Sequence, residues 1–207
     1  QDKICFGFGR MPISFQTSYI PWAHNPENAF AKIKYDPKKA EELLDKAGYP
    51  RGSDGNRFTI NCVYFRGVYD IGKSAEATGE MLRQVGIKLD LKETDRAAAL
   101  TQVFTNWDFD TTIQRYGQGP DPAMPRRQYT TAGIVKATFM NPNGYSNPRV
   151  DELYEKASVE TDRKIRAPLF FEIQEILAQD MPNVPLWESA FLAVHRTDFS
   201  NVITSGY

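Results

Sequence analysis

The chain has 207 residues, enough for one large domain or two small ones. Its 25 basic and 26 acidic residues nearly cancel, so it lacks the basic excess that a nucleic-acid binder gathers on one face. Its apolar runs are only a few residues long, too short to span a bilayer.

Residues 1–34 read as irregular, punctuated by Pro12, Pro21 and Pro26, with Trp22 and His24 between. Gln1 opens the chain without a signal peptide, and QDKICFGFGRMPISF offers neither a polar cap nor an ordered lead-in. The expectation is a piece of something longer. The next stretch, YDPKKAEELLDKAGYP, writes out both ends of a helix over Asp36–Ala47. Asp36 is the N-cap, Pro37 sits at N1, Gly48 supplies the left-handed position after the end, and Pro50 blocks a restart. Ala40, Leu43, Leu44 and Ala47 form an apolar stripe at helical spacing, which predicts a packed face.

A turn-rich segment, Arg51–Asn56, leads to FTINCVYF, a strand over Phe58–Phe65 with apolar residues on both faces. That pattern predicts a sheet covered on both sides. Asp70–Val85 reads as a helix with Ile71, Ala75, Thr78, Leu82 and Val85 on one face, stopped by Gly86. Ile87, Leu89 and Leu91 alternate with charged residues in a second strand, completing a strand–helix–strand unit. Asp95 caps a helix through Ala97, Leu100, Val103 and Phe104, and Phe109–Tyr116 returns as a strand. After the Pro-rich loop Gly117–Thr131, Asn147–Pro148 opens a helix with Val150, Leu153, Tyr154 and Ala157 inward. Arg163–Met181 is a longer helix with Ile165, Leu169, Phe170, Ile173, Ile176 and Leu177 as its stripe. Pro168 predicts either a kink in it or a start near Ala167. Val184–Glu188 and Leu192–Arg196 read as the last strands. The expected class is α/β, without internal repeats.

No catalytic set emerges. The chain has no Gly-x-Ser-x-Gly, Walker loop or Gly-x-Gly-x-x-Gly, and no His/Cys/Asp cluster at metal-ligand spacing. His24 and His195 are its only histidines, and His195 sits in an apolar pattern that suits a packed or surface role. Cys5 and Cys62 are too few for a disulfide framework, and spacing alone does not decide whether they pair. Asp108 and Asp110 fall on one face of their expected strand, where solvation explains them as well as acid–base work. The aromatic content of 13% fits a large aromatic core or a cleft lined with rings.

One region reads as a binding surface, because ligands in open α/β sheets gather beyond the carboxyl ends of strands. Beyond one strand end stand Arg115, Tyr116, Gln118 and Asp121, and beyond another Arg66 and Tyr69. These two arginine–tyrosine sets could line one cleft. Asp121 also reads as an N-cap before Pro122, and the two roles are compatible.

Four segments in order now match one pattern: Tyr35-Asp36-Pro37 to Ala47-Gly48-Tyr49; the strand, helix and Val85-Gly86-Ile87 strand; the Asp-Pro loop after Tyr116; and Gly144–Pro148 followed by Asp151-Glu152-Leu153. Over roughly residues 7 to 205 the chain resembles the family 5 solute-binding proteins of ATP-driven importers, the oligopeptide, dipeptide and nickel-binding group. The resemblance implies a periplasmic-binding-protein-like α/β lobe whose largely parallel mixed sheet is covered by helices. Residues 1–207 would form the second lobe of a two-lobed binder, with 184–196 as strands returning toward the first. It implies capture of a small extracellular solute, peptide-like or another small organic ligand, and delivery to the permease of an ABC importer. It further implies no catalysis, no cofactor and no metal, and a periplasmic or extracellular location, with a lipid anchor in some members. A single lobe would leave its cleft rings exposed and favour a dimer of the isolated chain. In peptide-binding members an acidic residue three positions before the acid of the Asp-Pro pair holds the ligand's α-amino group. That position here is Gln118, whose neutral amide cannot balance an ammonium charge. The candidate ligand residues are thus those at the two strand ends, Arg66, Tyr69, Arg115, Tyr116, Gln118 and Asp121, and Arg66 and Arg115 would suit a carboxylate if they face the cleft. A carboxylate-dependent hydrolase, or a sensory domain sharing the fold, is the alternative.

Overall fold

The helix ends written into the sequence are carried out in a computed structural model that describes Ile4, Phe6, Gly7, residues 9–189 and residues 195–200. In chain order, the strands are β1 (Gly9–Arg10), β2 (Phe58–Phe65), β3 (Ile87–Thr94), β4 (Thr111–Thr112) and β5 (Glu188–Ser189). The helices are α1 (Pro37–Lys46), α2 (Tyr69–Gln84), α3 (Arg96–Leu100), α4 (Arg126–Tyr129), α5 (Pro148–Val159) and α6 (Arg163–Asp180). They fall into two compact units. The first comprises residues 1–31, 117–126 and 147–207, and the second residues 32–116 and 127–146.

The second unit is built on a three-stranded parallel sheet in the order β3-β2-β4. β2 pairs with β3 along its whole length, from Phe58 opposite Ile87 to Phe65 opposite Thr94. The α2 crossover between them follows from this parallel pairing. The carboxyl half of β2 (Cys62, Val63, Tyr64 and Phe65) is buried on both faces, and with Ile71, Ala75, Ala99, Val103 and Phe104 it forms the core. The amino half exposes Thr59 and Asn61, so cover on both sides reaches only half of the strand. Cys62 is a free thiol among the described residues, and burial pushes its pKa up to about 11. Cys5 lies outside the described residues.

Three expectations change here. The first concerns β4, which is two residues long instead of spanning Phe109–Tyr116. Before it, the Asp110 carboxylate accepts from both the backbone N–H and the Nδ2 of Asn61, each at 2.8 Å, where strand pairing would have offered a carbonyl. The second concerns α3, which does not stay α-helical through Phe104. It widens to a π-helix over Thr101–Asn106 and is ended by Trp107 in the left-handed region at φ 59°. Val103 and Phe104 are nevertheless fully buried, as their spacing requires. The third concerns α1. Its caps are as written: Asp36 accepts from Lys39 N–H at 2.9 Å, and a Schellman ending joins Tyr49 N–H to Leu44 O and Gly48 N–H to Asp45 O. Its apolar stripe, however, buries no residue, and Leu43 is 55% exposed. The helix is held by polar contacts instead, Glu41 to Arg51 and Asp45 to Arg57.

In the first unit α5 and α6 pack together, burying Val150, Leu153, Tyr154 and Ala157 from one and Phe170, Ile173, Leu177 and Ala178 from the other. Asn147 caps α5 by accepting from Arg149 N–H at 3.0 Å. α6 runs unbroken through Pro168 from Arg163, because Asp162 caps its first turn, so the alternative start near Ala167 is not adopted. Ile165, expected in the stripe, is exposed, and the buried face includes Gln174. Val184–Glu188 is not a strand. Pro185 cannot donate to a ladder, and only Glu188–Ser189 pairs, antiparallel with Gly9–Arg10. Most of the expected Leu192–Arg196 strand lies outside the described residues.

Candidate functional site

In the second unit, β2 ends at Phe65 and the backbone carries its pairing one step further, with Arg66 N–H donating to Thr94 O at 2.9 Å. Gly67, at φ 88°, turns the chain into α2. This turn leaves the Arg66 side chain exposed and puts Tyr69 on the first turn of α2, 54% exposed. A shallow depression of about 330 Å³ lies at these strand ends, lined by Gly67, Val68, Tyr69, Gly72, Glu76 and Glu93 among others. Arg115 reaches the same turn, because its guanidinium pairs with the Asp70 carboxylate next to Tyr69. Tyr69, Arg115 and the unforeseen Asp70 are thus brought together. No motif announces Asp70, which on sequence alone is one more first-turn acid.

Tyr116 stands apart from that group as a half-buried ring, edge-on to Phe139 with centroids 6.0 Å apart. Burial pushes its phenol pKa well above the usual range, the Tyr129 phenol adds to the rise, and the positive charge of Arg127 opposes it. The Asp110 carboxylate is engaged by Asn61, while Gln102 Nε2 donates to the Asp108 carbonyl at 2.9 Å and to its carboxylate at 3.5 Å. Among the described residues no three His, Cys, Asp or Glu side chains converge to hold a metal ion.

Gln118 and Asp121 belong to the first unit, and both are engaged by the chain itself. The Gln118 amide pairs with the backbone of the bend at residues 15–17 through both of its polar atoms. Its Oε1 accepts from Thr17 N–H at 2.6 Å, and its Nε2 donates to Phe15 O at 3.0 Å. Asp121 accepts from Ala123 N–H at 2.7 Å and takes both ends of the Arg166 fork, at 2.9 and 3.1 Å. It therefore caps a turn, since the next helix begins only at Arg126. His195 is exposed, and His24 places Nδ1 2.8 Å from Gln16 O.

Burial raises the Asp121 pKa, but the Arg166 hydrogen bonds, the Ala123 N–H and the Arg166 charge outweigh it, leaving the pKa below the ordinary carboxylate value. A depressed pKa contributes stability above the unfolded value, and that contribution disappears as pH falls through the folded value. Asp121→Asn should therefore destabilise the chain at pH 7 and make progressively less difference as the parent is acidified below pH 4. Urea midpoints of parent and variant across pH 2.5–7 check this; a constant difference would count against it.

Comparison with known proteins places this geometry in a family. The model of the bacterial extracellular solute-binding proteins, family 5 Middle, matches residues 1–134, and the chain belongs to that family. It is 26% identical over 193 residues to the glutathione-binding protein GsiB of Escherichia coli O6:K15:H31, covering 91% of this chain and 35% of that protein. The chain thus spans about a third of the length of the curated relatives it matches. Among solved structures it resembles the periplasmic binding protein DppA of Helicobacter pylori in complex with the peptide STSA, with TM-score 0.76, 25% identity, and 91% of this chain and 35% of that one covered. It also shares the fold of the dipeptide binding protein of Pseudoalteromonas sp. SM9913 in complex with Met-Leu, with TM-score 0.77, 22% identity, and 91% and 36% covered. The expected α/β binding-protein fold is borne out. No helix among the described residues is long and apolar enough to cross a membrane.

Proposed function

We propose that the chain forms the second lobe of a two-lobed, non-catalytic protein that captures a small organic solute outside the cytoplasm and hands it to the permease of an ABC importer. The observation that carries this reading is the match to the family over residues 1–134, which takes in the depression beside Tyr69. Residues 184–196 would lead back toward the other lobe, and the whole protein would sit in the periplasm or be tethered by lipid outside the cell. Arg66 and Tyr69 are the proposed ligand contacts at the strand ends, with Arg115 oriented by Asp70. Gln118 and Asp121 act through the scaffold, because their polar atoms are spent on Phe15, Thr17, Ala123 and Arg166. A peptide-like ligand is supported by the names of the relatives, which bind glutathione or peptides. Its α-amino group would meet no carboxylate at position 118.

Titration calorimetry of the full-length protein against glutathione, Met-Leu, Ser-Thr-Ser-Ala and a neutral oligosaccharide tests the reading. The expected result is saturable binding of at least one peptide-like compound, which is recovered chemically unchanged. Binding of none, or turnover of any, would overturn it.

A further inference from the structure

The depression at the carboxyl ends of β2 and β3 holds an acid that the chain leaves unpaired. Glu93 lines it and is exposed, and its carboxylate makes no hydrogen bond or ion pair among the described residues. The nearby cations are committed elsewhere. Lys92, on the opposite face of β3, pairs with Asp90 at 2.6 Å, and Lys73, which lines the same depression, pairs with Glu76 at 2.6 Å. The Arg115 guanidinium is taken by Asp70.

A second group faces the same space. Parallel pairing sets Tyr64 opposite Glu93, so both side chains leave the sheet on one face, the face that α2 covers. Tyr64 is only 7% exposed, yet its hydroxyl makes no hydrogen bond among the described residues and keeps contact with solvent. A buried phenol ordinarily finds a partner for that hydroxyl. Gly72, which also lines the depression, adjoins the outer end of the ring: a Cβ there would stand 3.8 Å from Tyr64 Cε2. The hydroxyl therefore reaches the depression past a residue that has no side chain. Burial first, and then the charges of Glu93 and Glu76, hold the phenol above its usual pKa, so it stays a neutral hydroxyl in a negative field.

From the unpaired carboxylate, the unpartnered hydroxyl and the exposed Tyr69 ring around one depression, we infer that Glu93 and Tyr64 form an ammonium-binding subsite for the captured solute. The donors of a primary ammonium match this set, one making a charge-assisted bond to the carboxylate and another bonding to the phenol oxygen, with the Tyr69 ring beside the charge. The subsite supplies the counter-charge that the neutral amide at position 118 lacks. The inference rests on the binding reading above and specifies its ligand as an amine.

The test uses the full-length protein and two matched probes, Ser-Thr-Ser-Ala and its N-acetyl form. The parent should prefer the free amine by about tenfold or more. Glu93→Gln should lose about 10- to 100-fold in affinity for the amine and almost none for the acetylated peptide, and Tyr64→Phe about 3- to 10-fold for the amine. Neither group has a hydrogen-bonding partner among the described residues, so both variants should keep the parent's urea midpoint. Equal binding of the two peptides by the parent, or a preference that survives in Glu93→Gln, would overturn the inference while leaving solute capture standing. If the parent binds neither peptide, ethylammonium replaces them, with ethanol as the neutral control, and the Tyr64 ring resonances are followed by NMR in parent and Glu93→Gln. A saturable shift with ethylammonium alone, lost in Glu93→Gln, upholds the subsite even if solute capture falls, and any other pattern overturns it.

Discussion

Gln174→Met is expected to lower stability by about 3–5 kcal/mol, from the loss of a buried, four-way hydrogen-bonded amide. Gln174 lies on the buried face of α6 and is 2% exposed. Its Oε1 accepts from the Ser14 hydroxyl and, at 2.9 Å, from Asn25 N–H. Its Nε2 donates to Ala23 O at 2.8 Å and to Phe170 O at 2.7 Å. Methionine fills almost the same volume, so the cavity contribution is small and the effect isolates the polar one. Unfolding in urea gives the value, and circular dichroism shows whether α6 itself survives. A loss below about 1 kcal/mol would mean that the segment around Ser14–Asn25 finds other partners at little cost.

Phe104→Ala should be comparably severe, costing about 3–5 kcal/mol by removing the largest fully buried ring of the second unit. Phe104 projects from the π-helical turn into the sheet core and tilts against Phe139 at a centroid distance of 5.6 Å. The ring enters at an irregular point of the chain, where the left-handed Trp107 fixes the next residues, so the backbone is poorly able to close the void. The expected signature is a lowered urea midpoint with an unchanged slope. A cost under about 1.5 kcal/mol would mean that the core collapses around the gap.

How far the sequence could be read depended on how local the determinant was. Helix ends were legible because Asp36, Asp95 and Asn147 bond to N–H groups two or three residues away. The inward faces of α5 and β2 were legible from periodicity alone. Where the spacing misled, a distant group had decided the matter. The stripe of α1 has helical spacing but meets too little to bury it, and β4 shrinks because a side chain of Asp110 takes a backbone partner on β2. The site was legible as a place, the strand ends, and less so as a set of residues. Asp121 pairs with Arg166 across 45 positions and Arg115 with Asp70 across the same number, and no local pattern encodes either.

The double contact of Gln118 bears on redesign. One of its partners offers a proton and the other needs one, and among side chains of this length only a carboxamide answers both. An acid installed there to attract an amine would keep the Thr17 half of the contact and set an oxygen against the Phe15 carbonyl. Any change of cargo preference attempted at this position therefore alters the architecture before it alters the ligand. Selectivity is better engineered at a group the scaffold leaves uncommitted.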